Sequence, residues 1–281
     1  MVDISMYHSM MEDEPKEFPN SIVIRNAPLY QNADRTITTG PHIKFKEFGT
    51  FENSNWEETE PDRVESLRYF LRSLFRKKDF RKGQLPILNR ALTGQSVIGL
   101  LPTGGGKSLT YQLSALMHPG VCMVIDPIIS LMRDQVKGLR NHWIDACHFI
   151  NSSIKTREKK VEIQKKISDG KALFFFISPE RLLIEDFRSY LHTMSKDSDP
   201  VYYNYCVIDE AHCVSEWGHD FRTSYLSVAE NAMRYCITHP EGLDTIPIFA
   251  LTATASYDVL TDIQRELSGN DMSFRIGEEA I

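Results

Sequence analysis

Leu101-Pro102-Thr103-Gly104-Gly105-Gly106-Lys107-Ser108 lies between a short apolar run, Ser96 to Leu101, and a stretch with helical spacing, Lys107 to Met117. Glycines let the backbone turn tightly, so that successive N–H groups and the helix start point at phosphate oxygens. Lys107 then brings a positive charge to the β and γ phosphates, and the Ser108 hydroxyl can ligate Mg²⁺. The strict phosphate-loop pattern asks for Gly where this chain has Leu101. A Gly-rich turn before a helix is the plain alternative, but Gly-Lys-Ser between strand and helix favours a nucleoside triphosphate held by residues 103–108.

Outward from this loop, short apolar runs alternate with longer amphipathic stretches. The runs are Ser96 to Leu101, Val121 to Ile125, Cys147 to Ile150, Ala172 to Ile177, Tyr205 to Ile208 and Pro247 to Leu251. They lack in/out alternation, as strands do when both faces are covered. Helices are expected from Asp62, a candidate cap, through Phe75, and at Lys107 to Met117, Ser130 to Asn141, Lys155 to Asp169, Pro179 to Leu191, Tyr225 to Tyr235 and Ser256 to Leu267. The pattern predicts an α/β fold with a central, mainly parallel sheet flanked by helices, and ligands at the carboxyl ends of its strands.

One of those ends is Tyr205-Cys206-Val207-Ile208 running into Asp209-Glu210-Ala211-His212. Two adjacent carboxylates delivered by a strand suit a Mg²⁺-nucleotide site. One holds the metal with Ser108, and its neighbour orients or deprotonates the attacking water.

At 281 residues the chain is one or two domains long. Residues 1–60 carry 5 basic and 11 acidic side chains, without sustained periodicity beyond β-like runs at Ser21 to Arg25 and Ile43 to Phe48. They read as an irregular, acidic N-terminal extension, and residues 61–281 as the nucleotide-binding domain. Residues 61–110 reverse the balance, with 10 basic and 3 acidic side chains. The net charge of −6 does not advertise nucleic-acid binding, but a local groove can still provide it. No apolar run approaches the roughly 20 residues of a membrane span, and an intracellular protein without membrane contact is expected, in cytoplasm or nucleus. The five cysteines form no Cys-x-x-Cys pair, so buried free thiols are expected rather than disulfides or a zinc site.

Asp209-Glu210-Ala211-His212, extended by Cys213-Val214-Ser215-Glu216-Trp217-Gly218-His219-Asp220-Phe221-Arg222, resembles the box II and aromatic-rich loop of RecQ-type DNA helicases in superfamily 2. The likeness includes Phe80-Arg81-Lys82-Gly83-Gln84, similar to that family's adenine-reading motif, and Ser130-Leu131-Met132-Arg133-Asp134-Gln135, similar to motif Ia. It continues through Asn151-Ser152, Ser178-Pro179-Glu180-Arg181-Leu182 and Leu251-Thr252-Ala253-Thr254-Ala255, similar to motif III.

The resemblance implies a RecA-like first lobe that uses ATP and Mg²⁺ and acts on single-stranded or forked DNA, within a helicase that translocates 3′ to 5′. It implies that Gln84 hydrogen-bonds adenine with Arg81 nearby, and that Lys107, Asp209, Glu210 and His212 form the catalytic group. His212, Thr252 and Thr254 would couple the nucleotide to the DNA. Asn151, Ser152, Trp217, His219, Phe221 and Arg222 would meet the DNA, since aromatic faces stack on bases and Arg adds phosphate or cation–π contact. From residue type alone, Trp217 and Phe221 read as core.

Departures from the family pattern are Lys82 in place of Pro, Asp126 in place of Ser at the start of motif Ia, Thr223 in place of Pro, and a 74–79 segment without Phe-Gly. The alternatives are an RNA-directed superfamily 2 ATPase and a non-catalytic, nucleotide-gated DNA-binding module. Histidines 118, 142, 148 and 239 lack metal-like spacing, and Lys155 to Lys166 reads as a solvated helix face. About 26 residues follow motif III, too few for the second lobe and its arginine finger. That lobe is expected in the same longer chain or in a separate subunit.

Overall fold

The computed structural model describes residues 3–8, 21–26, 61–92, 94–118, 120–142, 144–154, 156–168, 172–194, 201–217, 220–236 and 246–268. Two strands of the extension, β1 (Asp3–His8) and β2 (Ser21–Asn26), pair in parallel. The expected run at Ile43 to Phe48 lies outside the described residues.

The domain opens with α1 (Pro61–Phe75), one residue before the expected cap. Val64, Leu67, Phe70, Leu71 and Phe75 are buried along it, which is the helical spacing read from the sequence. A second helix, α2 (Gln84–Leu92), has no counterpart among the expected elements. It is nine residues long and contains Pro86, but Pro86 falls in the first turn, where no intrahelical N–H bond is lost.

The sheet then builds from β3 (Val97–Leu100), β4 (Val121–Ile125), β5 (Cys147–Ile150), β6 (Phe174–Ile177), β7 (Tyr203–Ile208) and β8 (Ile248–Thr252). Its six strands run in the order β3-β8-β7-β4-β6-β5, and every pairing is parallel. The crossovers are α3 (Lys107–Met117), α4 (Ile129–Asn141), α5 (Arg157–Ser168), α6 (Glu185–Met194) and α7 (Val228–Tyr235), and α8 (Tyr257–Ser268) follows β8.

Alternate strand residues face opposite layers. Cys122, Val124, Phe174, Phe176, Tyr205, Val207, Phe249 and Leu251 join one apolar cluster with α1 to α4. Met123, Ile125, Phe175, Ile177, Cys206, Ile208, Ile248 and Ala250 join a second with α6, α7 and α8. Gly99 belongs to the close packing of β3. A Cβ there would stand 2.6 Å from Leu251 Cδ2 and 2.8 Å from Ile87 Cδ1.

Two expected helices begin later than predicted. Pro179–Leu183 is a 3₁₀ turn, Ile184 is extended, and α6 starts only at Glu185. Ile184 N–H closes the turn on Arg181 O, and the Arg181 guanidinium sits 5.1 Å from the Phe187 ring. Likewise Thr223–Tyr225 is a 3₁₀ turn and α7 starts at Val228. Helix α5 has only Ile167 buried, in keeping with a solvated face. All five cysteines are buried and free. Among the described residues no helix is long and apolar enough to cross a membrane.

Candidate nucleotide site and nucleic-acid face

The ends of β3, β8, β7 and β4 lie side by side, and the segments leaving them form the site. After β3 the glycine loop is tied to β8 by Leu101 N–H, which donates to Thr252 O at 3.1 Å. Gly105 N–H closes a tight turn on Pro102 O at 2.7 Å. Gly104 and Gly106 have φ of 78° and 83°, a region L side chains rarely enter. At Gly106 a Cβ would also collide with the Gln84 amide nitrogen.

Gln84 braces the loop from α2. Its Nε2 donates to Gly105 O at 3.0 Å and Gly106 O at 3.2 Å, and its Oε1 accepts from Arg81 N–H at 2.8 Å. A trans peptide points its N–H opposite its C=O, so the Gly106 and Lys107 amides face away from Gln84, toward the phosphate side. The Gln84 carboxamide is therefore occupied by the loop and buried, whereas Arg81 and Thr103 are exposed. Contact between Gln84 and adenine remains an expectation carried by the resemblance.

Ser108, in the first turn of α3, is oriented by residues with no obvious signature. Gln135 Nε2 of α4 donates to Ser108 Oγ at 2.6 Å, and Gln112 Nε2 donates to Gln135 Oε1 at 3.0 Å. In the sequence Gln135 is only a letter of motif Ia, and Gln112 belongs to no motif.

Asp209 follows β7, where its N–H donates to Ile125 O at 2.9 Å. Its carboxyl is buried and raised to about 6 by desolvation, an effect that the nearby Lys107 charge opposes. Glu210 adopts φ 50°, and its N–H donates to Asp209 Oδ1 at 3.0 Å. A non-glycine residue there costs of order 1–3 kcal/mol, the kind of strain that collects at functional sites. The turn aims Glu210 Oε1 at Lys107 Nζ, 3.1 Å away.

His212 Nδ1 lies 3.0 Å from Thr252 Oγ1 and 3.3 Å from Glu210 Oε2. Thr252 Oγ1 already donates its hydrogen to Thr254 O at 3.0 Å, so His212 Nδ1 must be the donor to Thr252. Glu210 is thereby wired to the end of β8.

The donor set fits Mg²⁺. Ser108 Oγ and the Asp209 carboxylate are hard oxygens, and among the described residues no three His, Cys, Asp or Glu side chains gather to hold a metal alone. Mg²⁺ needs no such cage, because it is typically held by one or two carboxylates, substrate phosphates and retained waters.

Asp126, after β4, adds a further buried acid. Its Oδ1 accepts from Ile128 N–H at 2.9 Å, and burial raises the carboxyl to about 7 from an ordinary 3.8. A carboxyl raised in the folded state favours folding while protonated, and that contribution is lost as pH rises from about 4 through 7. Asp126→Asn removes the penalty. Between pH 4 and pH 8 the stability difference should move in the variant's favour by about 2–4 kcal/mol, measured by chemical denaturation at each pH. Parallel pH profiles for the two proteins would overturn this.

The aromatic loop follows the acidic turn. Ser215 Oγ donates to Asp262 Oδ2 of α8 at 2.6 Å and accepts from Trp217 N–H at 3.2 Å. This anchor presents an indole that is 79% exposed, where residue type alone would suggest a core position. Phe221 is half-buried. Arg222 donates to Pro127 O at 3.2 Å and to Asp220 Oδ2 at 2.9 Å, which ties the loop to the end of β4. His219 lies outside the described residues. Asn151 is brought to the same end of the sheet, but its side chain is buried. Oδ1 accepts from Ser153 N–H at 3.0 Å and Ser153 Oγ at 2.6 Å, leaving Ser152 as the exposed member of that pair. His118 packs against Tyr205 in the core, where burial lowers it to about 4.

Residues 81–263 match the DEAD/DEAH box helicase family. The chain is 40% identical over 207 residues to an ATP-dependent DNA helicase RecQ of Haemophilus influenzae, an alignment that covers 74% of this chain and 31% of that protein. It is 39% identical over 208 residues to the ATP-dependent helicase SGS1 of Saccharomyces cerevisiae, covering 72% of this chain and 14% of the relative. In fold it is similar to the crystal structure of the DUF1998 helicase MrfA bound to DNA and AMPPNP, with TM-score 0.53, 16% identity, and coverage of 77% of this chain and 29% of that one. The chain thus spans about a third or less of the length of these curated relatives. Motif spacing, parallel sheet and sequence similarity agree that this chain belongs to the DEAD/DEAH box helicases, as the first RecA-like lobe of a RecQ-like member.

Proposed function

We propose that this chain is the ATP-binding lobe of an ATP-dependent DNA helicase, coupling ATP hydrolysis to 3′-to-5′ movement along single-stranded DNA and to duplex unwinding. The observation that carries the reading is the 3.1 Å approach of Lys107 Nζ to Glu210 Oε1. It brings the phosphate loop and the acidic turn, 103 residues apart, to one point. Mg²⁺, when bound, would supply positive charge against the charge that develops in phosphoryl transfer.

The chain's own residues do the rest. Backbone amides of 103–108 and Lys107 hold the phosphates, with Gln84 fixing the loop's shape. Ser108 and Asp209 would hold the metal. Glu210 orients the attacking water and takes its proton, and Arg81 and Gln84 lie where adenine recognition is expected. His212, Thr252 and Thr254 transmit the state of Glu210 to β8. Trp217, His219, Phe221, Arg222 and Ser152 form the DNA side, with Asn151 bracing its turn. DNA and a second RecA-like lobe are the partners, and the location is intracellular.

The test is ATPase stimulation by matched DNA and RNA strands in a two-lobe assembly, with Trp217→Ala alongside. Loss of base stacking on an exposed indole should weaken single-stranded DNA binding by about 1–3 kcal/mol, or roughly 5- to 150-fold, without changing the thermal midpoint. Equal stimulation by RNA would favour the RNA-directed alternative, and an unaffected Trp217→Ala would remove the loop from the DNA path.

A further inference from the structure

Asp126 occupies a position to which the resemblance gives no role, since the family pattern has Ser there. The carboxyl is 1% exposed. Oδ1 is fixed by the Ile128 N–H, but the buried Oδ2 has no hydrogen-bond partner among the described residues. Arg222 reaches the neighbouring carbonyl, Pro127 O, and directs its other contact to Asp220. A buried carboxylate oxygen without a donor is costly, and such atoms call for an explanation.

The register supplies the surroundings. Ile125 of β4 pairs with Ile208 of β7, and Asp209 N–H donates to Ile125 O at 2.9 Å. Asp126 and Asp209 are therefore the next residues on adjacent parallel strands, with backbones about 5 Å apart. The charges of Asp209, Glu210 and Lys107 all act on Asp126. Mg²⁺ at Ser108 and Asp209 would keep several waters, each a polarised donor.

We propose that Asp126 accepts a hydrogen bond from a water of the Mg²⁺ hydration sphere and thereby strengthens divalent-cation binding in the nucleotide site. The proposal rests on the nucleotide-site reading above. Oδ2 gains its missing donor only when the cation is in place, and Oδ1 keeps the carboxyl aimed meanwhile.

The test is Mn²⁺ binding to the 281-residue chain with saturating AMPPNP, followed by electron paramagnetic resonance of free Mn²⁺. Asp126→Asn keeps the shape but puts a donor where an acceptor is needed. Groups that hold metal ligands or their waters typically change affinity by about 10- to 100-fold when removed. Asp126→Asn should weaken Mn²⁺ binding by about 10-fold or more, while AMPPNP binding measured in EDTA is unchanged. Should Asp126→Asn not fold, Asp126→Ser carries the same expectation. Mn²⁺ affinity within about 2-fold of the parent overturns the proposal alone, provided Asp209→Asn still loses the metal. Equal Mn²⁺ affinity in the parent and Asp209→Asn overturns the nucleotide-site reading, and the proposal with it.

Discussion

Glu210→Gln is expected to slow single-turnover ATP hydrolysis by about 10²- to 10⁴-fold, the usual contribution of a positioned general base. Gln has nearly the same shape and keeps an oxygen that can bond Lys107 or His212, but it cannot accept the proton of an attacking water. Nucleotide binding should behave oppositely. Lys107 Nζ lies 3.1 Å from Glu210 Oε1, so the ammonium expected to meet the phosphates also shares its charge with that carboxylate. Neutralising Glu210 releases the ammonium, and ATP should bind at least as tightly as to the parent. Lys107→Ala should instead lose both binding and turnover. Rapid quench with excess protein reads the chemical step, and fluorescence of a labelled ATP analogue reads binding. A Glu210→Gln protein that hydrolyses at the parental rate would sink the assignment of the base.

A second RecA-like lobe, supplied in a longer chain or in trans, is expected to raise turnover by about 10³- to 10⁵-fold, the range for an arginine finger. That corresponds to roughly 4–7 kcal/mol of barrier. This lobe gathers loop amides, Lys107, Ser108 and two carboxylates on one edge of the sheet, the groups proposed to hold a triphosphate and aim a water. Charge that develops on the transferred phosphoryl group needs a further cation opposite Lys107, and the family resemblance places that cation on the other lobe. Steady-state ATPase of the 281-residue chain, with and without single-stranded DNA, is the measurement. Fast, DNA-stimulated turnover by this chain alone would overturn the expectation.

How legible these features were depends on the range of the forces involved. Helix α3 and strands β4 and β5 fall where read, because their limits are set locally, by glycines before α3 and by short, largely apolar runs in the strands. The division at Ile184 was not visible, since Pro179 to Leu191 has continuous helical spacing and the break is one extended residue. Helix α2 escaped because nine residues with Pro86 look like a loop, and its burial comes from packing on α3 and β3. At the site, the phosphate loop and the acidic pair were readable from residue type and order. Gln135 on Ser108 was not, because a bond between residues 27 apart leaves no local pattern. Trp217 shows the limit of residue type: a large aromatic predicts burial, and only the Ser215–Asp262 anchor explains its exposure.

The left-handed backbone at Glu210 has an evolutionary corollary. Glycine would relax that kink, so a drifting population selected for sturdiness alone would be drawn toward it. An acid at such an uncomfortable spot is what a position spent on chemistry rather than sturdiness would hold, and a relative with glycine there is expected to have lost the base.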